Sequence, residues 1–270
     1  MDSEIEIIHS RANQHLKRVG AVRSGKERDV ILLEGERLIA DALRSGHSLD
    51  LLLIAADRPD LMNLIESNVE RSLMVDPPLL ARTSGLEHSP GILALMRPPK
   101  PIALSKLLGP HAELILVVAG VADPGNLGAL SRSAEAAGAA GMIVLEGGVR
   151  PWNEKAMRGS MGSLLRLPVC HAVPAADAAK ALDVSGYRQV AAATRGGTDY
   201  RRFDWTGPLA IWVAPETGHA PAECDAFEGV SIPMAGGVES LNVSIAASLL
   251  LFAAASNQSQ RGKRSGVQDA

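Results

Sequence analysis

Three strand-to-loop edges of this sequence carry polar side chains that could bind a ligand. The first is DPGNLGALSRSAEAAG, which follows an apolar strand and contains Asn126 and Arg132. The second places Glu216 shortly after the apolar strand LAIWV, and the third runs through SIPMAGG to Ser240 and Asn242 before an apolar helix. Open α/β sheets bind ligands beyond the carboxyl ends of their strands. The three edges therefore predict a pocket built from backbone loops and a few polar groups.

The residue types argue against several kinds of chemistry. His, Cys and Asp do not cluster at ligand spacing, so no metal site is expected, and no Ser-His-Asp arrangement with a nucleophile elbow is present. The first edge reads G-N-L-G and lacks the G-x-G-x-x-G of a dinucleotide loop, although Glu146 lies where an NAD ribose ligand would be expected. An NAD-dependent oxidoreductase is therefore the alternative, although the chain lacks the phosphate-binding loop that such an enzyme uses.

Composition describes a globular α/β protein with no overall basic charge. Hydrophobic residues make up 46% of the chain and aromatic residues only 3%, so the core must be built from Ala, Val, Ile and Leu. The net charge is −3, and nucleic-acid binding would therefore need a local basic patch. Such a patch is available between Arg11 and Arg28, where six basic residues accompany a single acid.

Cysteine usage and hydropathy indicate the compartment. Cys170 and Cys224 form neither a C-x-x-C pair nor a disulfide framework, which favours a reduced cytoplasmic setting. The first ten residues are acidic and short of apolar length, unlike a signal peptide. The longest apolar run, residues 245–255, falls short of a membrane span. We expect a soluble cytoplasmic protein without membrane association.

The elements that must position the three edges fall into two domains. Short apolar strands alternate with helical patterns up to a proline-rich stretch at residues 98–101, which suits a domain boundary. Beyond it, five near-continuous apolar strands separated by helices predict a parallel sheet covered on both faces. We predict a first α/β domain over residues 1–105, a second over 106–258 and a polar tail over 259–270.

Taken together and in this order, the three edges resemble the motifs of the SpoU (TrmH-like) branch of the SPOUT RNA methyltransferases. DPGNLGALSRSAEAAGA is similar to the first motif, WVAPETG to the second, and SIPMAGGVESLNVSIAASLLLF to the third, which is the most specific. KAMRGSMGSLLRLPV fits the segment between the first two. The resemblance covers about residues 112–256. The preceding IIHSRANQHLKRV…ILLEGERLIADAL is similar to the L30e-like substrate-binding domain that often comes before it.

The resemblance implies a fold, a cofactor and a reaction. The implied fold is a parallel-sheet SPOUT domain with a deep trefoil knot, and the implied assembly is a homodimer with a shared active site. S-adenosylmethionine (SAM) would lie bent among the knot loops and donate a methyl group to a ribose 2′-hydroxyl of RNA. Ribosomal RNA is favoured over transfer RNA by the two-domain layout. A non-catalytic RNA-binding protein is the alternative that predicts no SAM binding.

The family's functional residues carry over onto matching positions of this chain. The implied catalytic residues are Arg132, Asn126, Glu216, Ser240 and Asn242. The implied cofactor-binding residues are Thr194, Ala214, Glu216, Gly218, Ile232, Met234 and Leu241. Because a guanidinium resists deprotonation, Arg132 is expected to stabilise the developing alkoxide rather than act as a base. Asn126, Ser240 and Asn242 are expected to orient the ribose and hold the loops together.

One motif departs from the family pattern. The second motif often has Gly before its Glu, whereas Ala214 and Pro215 stand there in this chain and His219 follows Gly218. Proline removes an amide donor, so the cofactor contacts expected on this loop differ from those of the family.

Overall fold

The computed structural model describes residues 7–64, 68–110, 113–215 and 220–265, with only the backbone described for Leu64 and for residues 258–265. Its internal contacts divide the chain into two units. The first comprises Met1–Lys100 together with Trp152–Arg166, and the second comprises Pro101–Pro151 together with Leu167–Ala270.

The described elements are numbered in chain order. The strands are β1 (Ile7–Ile8), β2 (Ile31–Glu34), β3 (Leu51–Ala55), β4 (Ser72–Val75), β5 (Ile92–Met96), β6 (Leu114–Val118), β7 (Gly141–Leu145), β8 (Val169–Val173), β9 (Arg188–Ala193), β10 (Thr198–Asp199), β11 (Leu209–Val213) and β12 (Glu228–Ser231). The helices are α1 (Gln14–Arg23), α2 (Glu36–Arg44), α3 (Pro77–Thr83), α4 (Leu104–Leu107), α5 (Pro124–Ala136), α6 (Glu154–Gly159), α7 (Ser163–Arg166), α8 (Ala175–Val184) and α9 (Val243–Ser265). Short 3-10 helices span Pro59–Leu64 and Ala222–Ala226.

The first unit is built on a mixed sheet with the strand order β1-β4-β3-β5-β2. Strands β1, β3 and β4 are parallel, whereas β5 is antiparallel to both of its neighbours. The alternation of short apolar strands and helical patterns predicted for this part of the chain is confirmed, and side chains of β2, β3 and β4 contribute to the buried core of the unit. A 3-10 helix, Pro59–Leu64, follows β3. The likeness of this unit to an L30e-like domain stays a prediction.

The segment Trp152–Arg166 packs with the first unit, although the predicted boundary near residue 105 assigns it to the second. An ion pair joins Arg23 of α1 to Glu154 of α6, with Nε and Oε2 3.1 Å apart. Arg23 also donates to the buried carboxylate of Glu34, at 3.4 Å. Partners 131 residues apart leave no local pattern, which is why periodicity could not place this segment.

The second unit is a seven-stranded sheet with the order β10-β12-β9-β11-β6-β7-β8. Every pairing in it is parallel, which confirms the predicted parallel α/β architecture. Strand β11 lies between β9 and β6, and all five of its residues are buried. Because the three strands are parallel, their carboxyl ends meet at one edge of the sheet. Helices α5 and α9, which follow β6 and β12, pack against each other. The trefoil knot stays a prediction, since strand order does not define how the chain is threaded.

Within the described ranges, no helix combines the length and apolar character needed to cross a bilayer.

Candidate functional site

The first edge forms the beginning of α5, directly after β6. Asp123 caps this helix, since its Oδ2 accepts a hydrogen bond from the backbone N–H of Asn126 at 3.1 Å. Pro124 occupies the first helical turn, where its missing N–H has no intrahelical partner to lose. The cap therefore holds the half-buried Asn126 at the carboxyl edge of the sheet.

A hydrogen bond between two asparagines joins the first edge to the third. Asn242 Nδ2 donates to Asn126 Oδ1 at 3.0 Å, while Asn242 Oδ1 accepts from the backbone N–H of Ser244 at 2.9 Å. Ser244 Oγ in turn donates to the backbone carbonyl of Asn126 at 3.0 Å. Asn242 thus caps the first turn of α9 and ties it to α5 with the same side chain.

Small hydroxyl side chains continue this contact along the two helices. The Oγ atoms of Ser133 and Ser248 lie 2.7 Å apart, and Ser248 Oγ also donates to the backbone carbonyl of Ser244 at 2.6 Å. Ser244 is only 7% exposed, and its hydroxyl is satisfied by the bond to Asn126. Buried polar groups with partners add specificity to packing, so α5 and α9 are held in one register.

An apolar cavity of about 480 Å³, including its open mouth, lies where these loops meet the sheet. It is lined by Ala192, Ala193, Thr194, Val213, Ala214, Val230, Ile232, Met234, Ser240, Leu241, Val243, Ala246 and Leu250. The structure thus brings together five of the residues expected to bind the cofactor: Thr194, Ala214, Ile232, Met234 and Leu241. Ser240, expected to be catalytic, lines the same cavity. The remaining expected residues, Glu216 and Gly218, lie outside the described residues.

A second, polar cavity of about 760 Å³, including its wide mouth, adjoins the apolar one, with which it shares Thr194, Ile232 and Met234. It lies between the loop after β9 and the loop that leads from β12 towards α9. Arg195 Nη2 and Glu239 Oε1 face each other at 3.7 Å across these two loops.

Arg132 lies on α5 with its side chain exposed to solvent. It directly precedes Ser133, which bonds to α9, but it makes no ion pair or hydrogen bond to Asn126, Asn242 or any other described side chain. The expected catalytic residues are therefore brought together only in part. Asn126 and Asn242 are bonded, Ser240 lines the cavity, and Arg132 stands beside the helix contact with its charge unpaired among the described residues.

The two thiols are poorly suited to nucleophilic chemistry. Burial raises the pKa of Cys170 to about 11, and burial together with Glu223 and Asp225 raises the pKa of Cys224 to about 11. A reactive cysteine needs a lowered pKa, so neither thiol is activated at neutral pH. Within the described ranges, no three His, Cys, Asp or Glu side chains are grouped as metal ligands.

Sequence reasoning missed several residues of this site. Ser244 and Ser248 are spaced by four on an apolar helix, a signal that could have identified the face of α9 towards α5. Arg195 and Glu239 carried no such signal, because their loops are apart in sequence and are joined only by the fold.

Comparison with known proteins places the site in a family. The family model described as the SpoU rRNA Methylase family matches residues 113–252, which contain β6 to the first part of α9. The match includes all three edges and both cavities.

Individual relatives resemble the chain over most of its length. A 23S rRNA (guanosine-2′-O-)-methyltransferase of Vibrio parahaemolyticus is 32% identical over 251 residues, which cover 90% of this chain and 96% of the relative. A protein of Staphylococcus saprophyticus assigned to the TrmH family of tRNA/rRNA methyltransferases is 27% identical over 238 residues, covering 82% and 94%. The crystal structure of an AdoMet-bound rRNA methyltransferase from Sinorhizobium meliloti superposes with a TM-score of 0.80 at 25% identity, covering 92% of this chain and 97% of that one.

Proposed function

This chain belongs to the SpoU rRNA methylase family and is a SAM-dependent RNA 2′-O-ribose methyltransferase, and we propose that its substrate is ribosomal RNA. The observation that supports the activity most directly is the apolar cavity at the carboxyl edge of the parallel sheet. Five of the seven positions expected to bind the cofactor line it, contributed by the loops after β9, β11 and β12 and by the loop before α9, although they are far apart in sequence.

The chemistry of the cavity fits SAM. Eleven of its thirteen lining residues are apolar, as the faces of an adenine ring require, and only Thr194 and Ser240 add polar side chains. Bound SAM supplies an electrophilic methyl group. Ile232, Met234 and Leu241 would hold its apolar part.

The residues of this chain would promote attack by a poor nucleophile in two ways. The Asn126–Asn242 bond fixes α5 and α9, and with them the loops that must align the ribose hydroxyl. Arg132 would place a permanent positive charge near the oxygen as negative charge develops on it. No described carboxylate neutralises this guanidinium, so its charge is available to the substrate.

The role of Arg132 is tested by separating chemistry from cofactor binding. Arg132→Ala is expected to abolish methyl transfer to RNA while the Kd for SAM, measured by isothermal titration, stays at the wild-type value. Arg202→Ala removes another exposed arginine of the second unit and should leave both quantities unchanged. Loss of SAM affinity in Arg132→Ala would contradict an electrostatic role at the ribose oxygen.

We propose that the enzyme is a homodimer that buries one face of α9. Ile245, Leu249 and Phe252 recur at helical spacing and are 54%, 37% and 47% exposed, so they form an apolar stripe on α9. This stripe belongs to the helix that Asn242 caps and ties to α5, so a second copy seated on it would lie beside the site. A partner there would also approach the exposed Arg132 on α5, as a shared active site requires.

The oligomeric state tests this arrangement. Phe252→Asp is expected to convert a dimer to a monomer in light scattering coupled to size exclusion, because it places a charge in the apolar interface. Val184→Asp is the matched control, since Val184 is 80% exposed at the end of α8 and outside the stripe. A wild-type monomer, or a dimer that survives Phe252→Asp, would refute the interface.

We propose that the first unit contacts RNA through a smaller basic patch than the sequence suggests. Arg18 is paired with Glu27 at 2.9 Å and with Asp50 at 3.2 Å, and Arg23 is engaged by Glu34 and Glu154. The cations between Arg11 and Arg28 that remain exposed are Arg11, Lys17, Lys26 and Arg28. Phosphate contacts from such residues give salt-dependent affinity without sequence information.

Charge reversal tests this patch. Lys17→Glu combined with Lys26→Glu should raise the KM for RNA and flatten its dependence on salt concentration, while the Kd for SAM stays constant. Arg82→Glu reverses an exposed charge of the first unit outside α1 and provides the control. Unchanged RNA kinetics in the double variant would contradict a role for the patch.

Ribosomal RNA is favoured because the Vibrio parahaemolyticus relative that covers 90% of this chain acts on 23S rRNA. Transfer RNA is the alternative, because the Staphylococcus saprophyticus relative is assigned to a family of tRNA/rRNA methyltransferases. A cytoplasmic location suits either substrate, and the two cysteines are both free thiols. Mapping 2′-O-methyl sites in total RNA with and without the gene distinguishes the substrates, since the lost site lies in one RNA class or the other.

A further inference from the structure

The loop after β9 and the loop before α9 are each anchored at one end near the cofactor cavity. The backbone at Gly197 lies so close to β12 that a Cβ there would come within 2.4 Å of the Gly229 carbonyl oxygen. The other loop is anchored where Asn242 caps α9 and bonds to Asn126. Between these anchors both loops line the polar cavity that adjoins the cofactor cavity.

The free parts of these loops have little side-chain packing of their own. A Cβ added at Gly196, Gly236 or Gly237 would meet nothing within 4 Å. Gly196 and Gly236 also have positive φ angles of 76° and 68°, which allow the chain to turn without a side chain to hold it. A specific contact between the loops would therefore hold their free parts together.

Arg195 and Glu239 provide such a contact. Their charged atoms lie 3.7 Å apart, and the side chains are 81% and 82% exposed, so the pair can open and close without unpacking a core. Exposed ion pairs are weak and are screened by salt. This contact can therefore change how often the two loops are held together, but it does not hold them permanently.

We propose that the Arg195–Glu239 ion pair is a latch that holds the two loops together over the cofactor cavity and slows the release of the cofactor product. The inference rests on the proposed function, because it assumes that the adjoining apolar cavity binds SAM and S-adenosylhomocysteine. Residues Thr194, Ile232 and Met234 line both cavities, so loops that separate at Arg195 and Glu239 also loosen the cofactor's walls. Arg195 and Glu239 are positioning residues that act through these loops.

The test measures the dissociation rate of S-adenosylhomocysteine by stopped-flow displacement from the full-length protein. Arg195→Gln and Glu239→Gln should each raise this rate by a few-fold, up to about fivefold at low salt, which is the range of an exposed ion pair. The exchanged double variant, Arg195→Glu with Glu239→Arg, should restore a rate near that of the wild type. High salt should bring all the variants to one rate.

The control is Arg201→Gln, which breaks the Arg201–Asp199 pair of the same unit, whose side chains are 63% and 22% exposed. Arg201 does not line either cavity, and its variant should release S-adenosylhomocysteine at the wild-type rate.

The outcomes separate the latch from the proposed function. Single variants that release ligand at the wild-type rate at low salt, or an exchanged pair that fails to restore the rate, would overturn the latch while SAM-dependent function stands. A wild-type protein that binds neither SAM nor S-adenosylhomocysteine would overturn both. A salt-sensitive wild-type rate with salt-insensitive single variants would support the latch.

Discussion

Replacing Asn242 by serine should separate its two structural tasks. Asn242 Oδ1 accepts from the backbone of Ser244 at 2.9 Å, and its Nδ2 donates to Asn126 at 3.0 Å. A serine hydroxyl can still accept at the helix N-terminus, where Ser and Asn are nearly equal in preference. It is too short and has too few donors to reach Asn126 in the same way. Asn242→Ser therefore removes the tie to α5 and keeps the cap.

The magnitude follows from the geometry of the lost bond. A neutral side-chain hydrogen bond of normal length contributes about 0.5–1.5 kcal/mol, so Asn242→Ser should cost about 1 kcal/mol. Asn242→Ala loses the cap as well and should cost about 2 kcal/mol. For a domain of 150–250 residues, each kcal/mol lowers Tm by about 2–4 °C. Leu241 and Val243 line the cofactor cavity beside the tie, so SAM affinity should fall by no more than about fivefold in Asn242→Ser.

A double-mutant cycle isolates the bond itself. Asn126→Ala removes the acceptor, and Asn126→Ala combined with Asn242→Ser should be no less stable than the worse single variant. The coupling energy from urea unfolding should be about 1 kcal/mol. Additive effects, with a coupling energy near zero, would refute the tie, and an Asn242→Ser protein as unstable as Asn242→Ala would refute the separation of tie from cap.

Three further perturbations test other parts of the structure. Gly197→Ala should lower SAM affinity at least tenfold by isothermal titration, because its Cβ would strike the Gly229 backbone at a position with φ of +78°. Arg23→Ala should destabilise the first unit by about 3 kcal/mol in urea unfolding, because it leaves the buried carboxylate of Glu34 without its cationic partner. Alkylation of Cys170 should be slow at pH 8 and accelerate about tenfold per pH unit, because burial raises its thiol pKa to about 11.

The two substitutions have matched controls. Gly207→Ala also places alanine at positive φ, +81°, but meets no atom within 4 Å, so it should leave SAM affinity intact. Arg28→Ala removes an exposed arginine near α1 and should change stability by less than about 0.5 kcal/mol. Rapid alkylation of Cys170 at neutral pH in the folded protein would contradict its burial, and a rate that does not respond to pH would contradict its raised pKa.

Local patterns in the sequence predicted the sheet and its functional edges well. The runs LILVV and LAIWV are continuous and apolar because parallel strands are buried on both faces, and they became β6 and β11. The cap at Asp123 and the turn residues after each strand act over a few positions, so their consequences could be predicted without a structure. Strand β8 was missed because it is only partly buried, and β10 because a two-residue strand carries little apolar signal.

By itself, the sequence determined the α/β class, the parallel strands and the polar groups at their carboxyl ends, because each depends on neighbours within one turn or one strand. Only the tertiary structure decided which edges meet. It paired Asn126 with Asn242 across 116 residues, gave Trp152–Arg166 to the first unit, and used Arg18 and Arg23 as internal ion-pair partners. Such contacts depend on strand order and side-chain reach, which are set by the packing of the whole chain and leave no periodic trace in it.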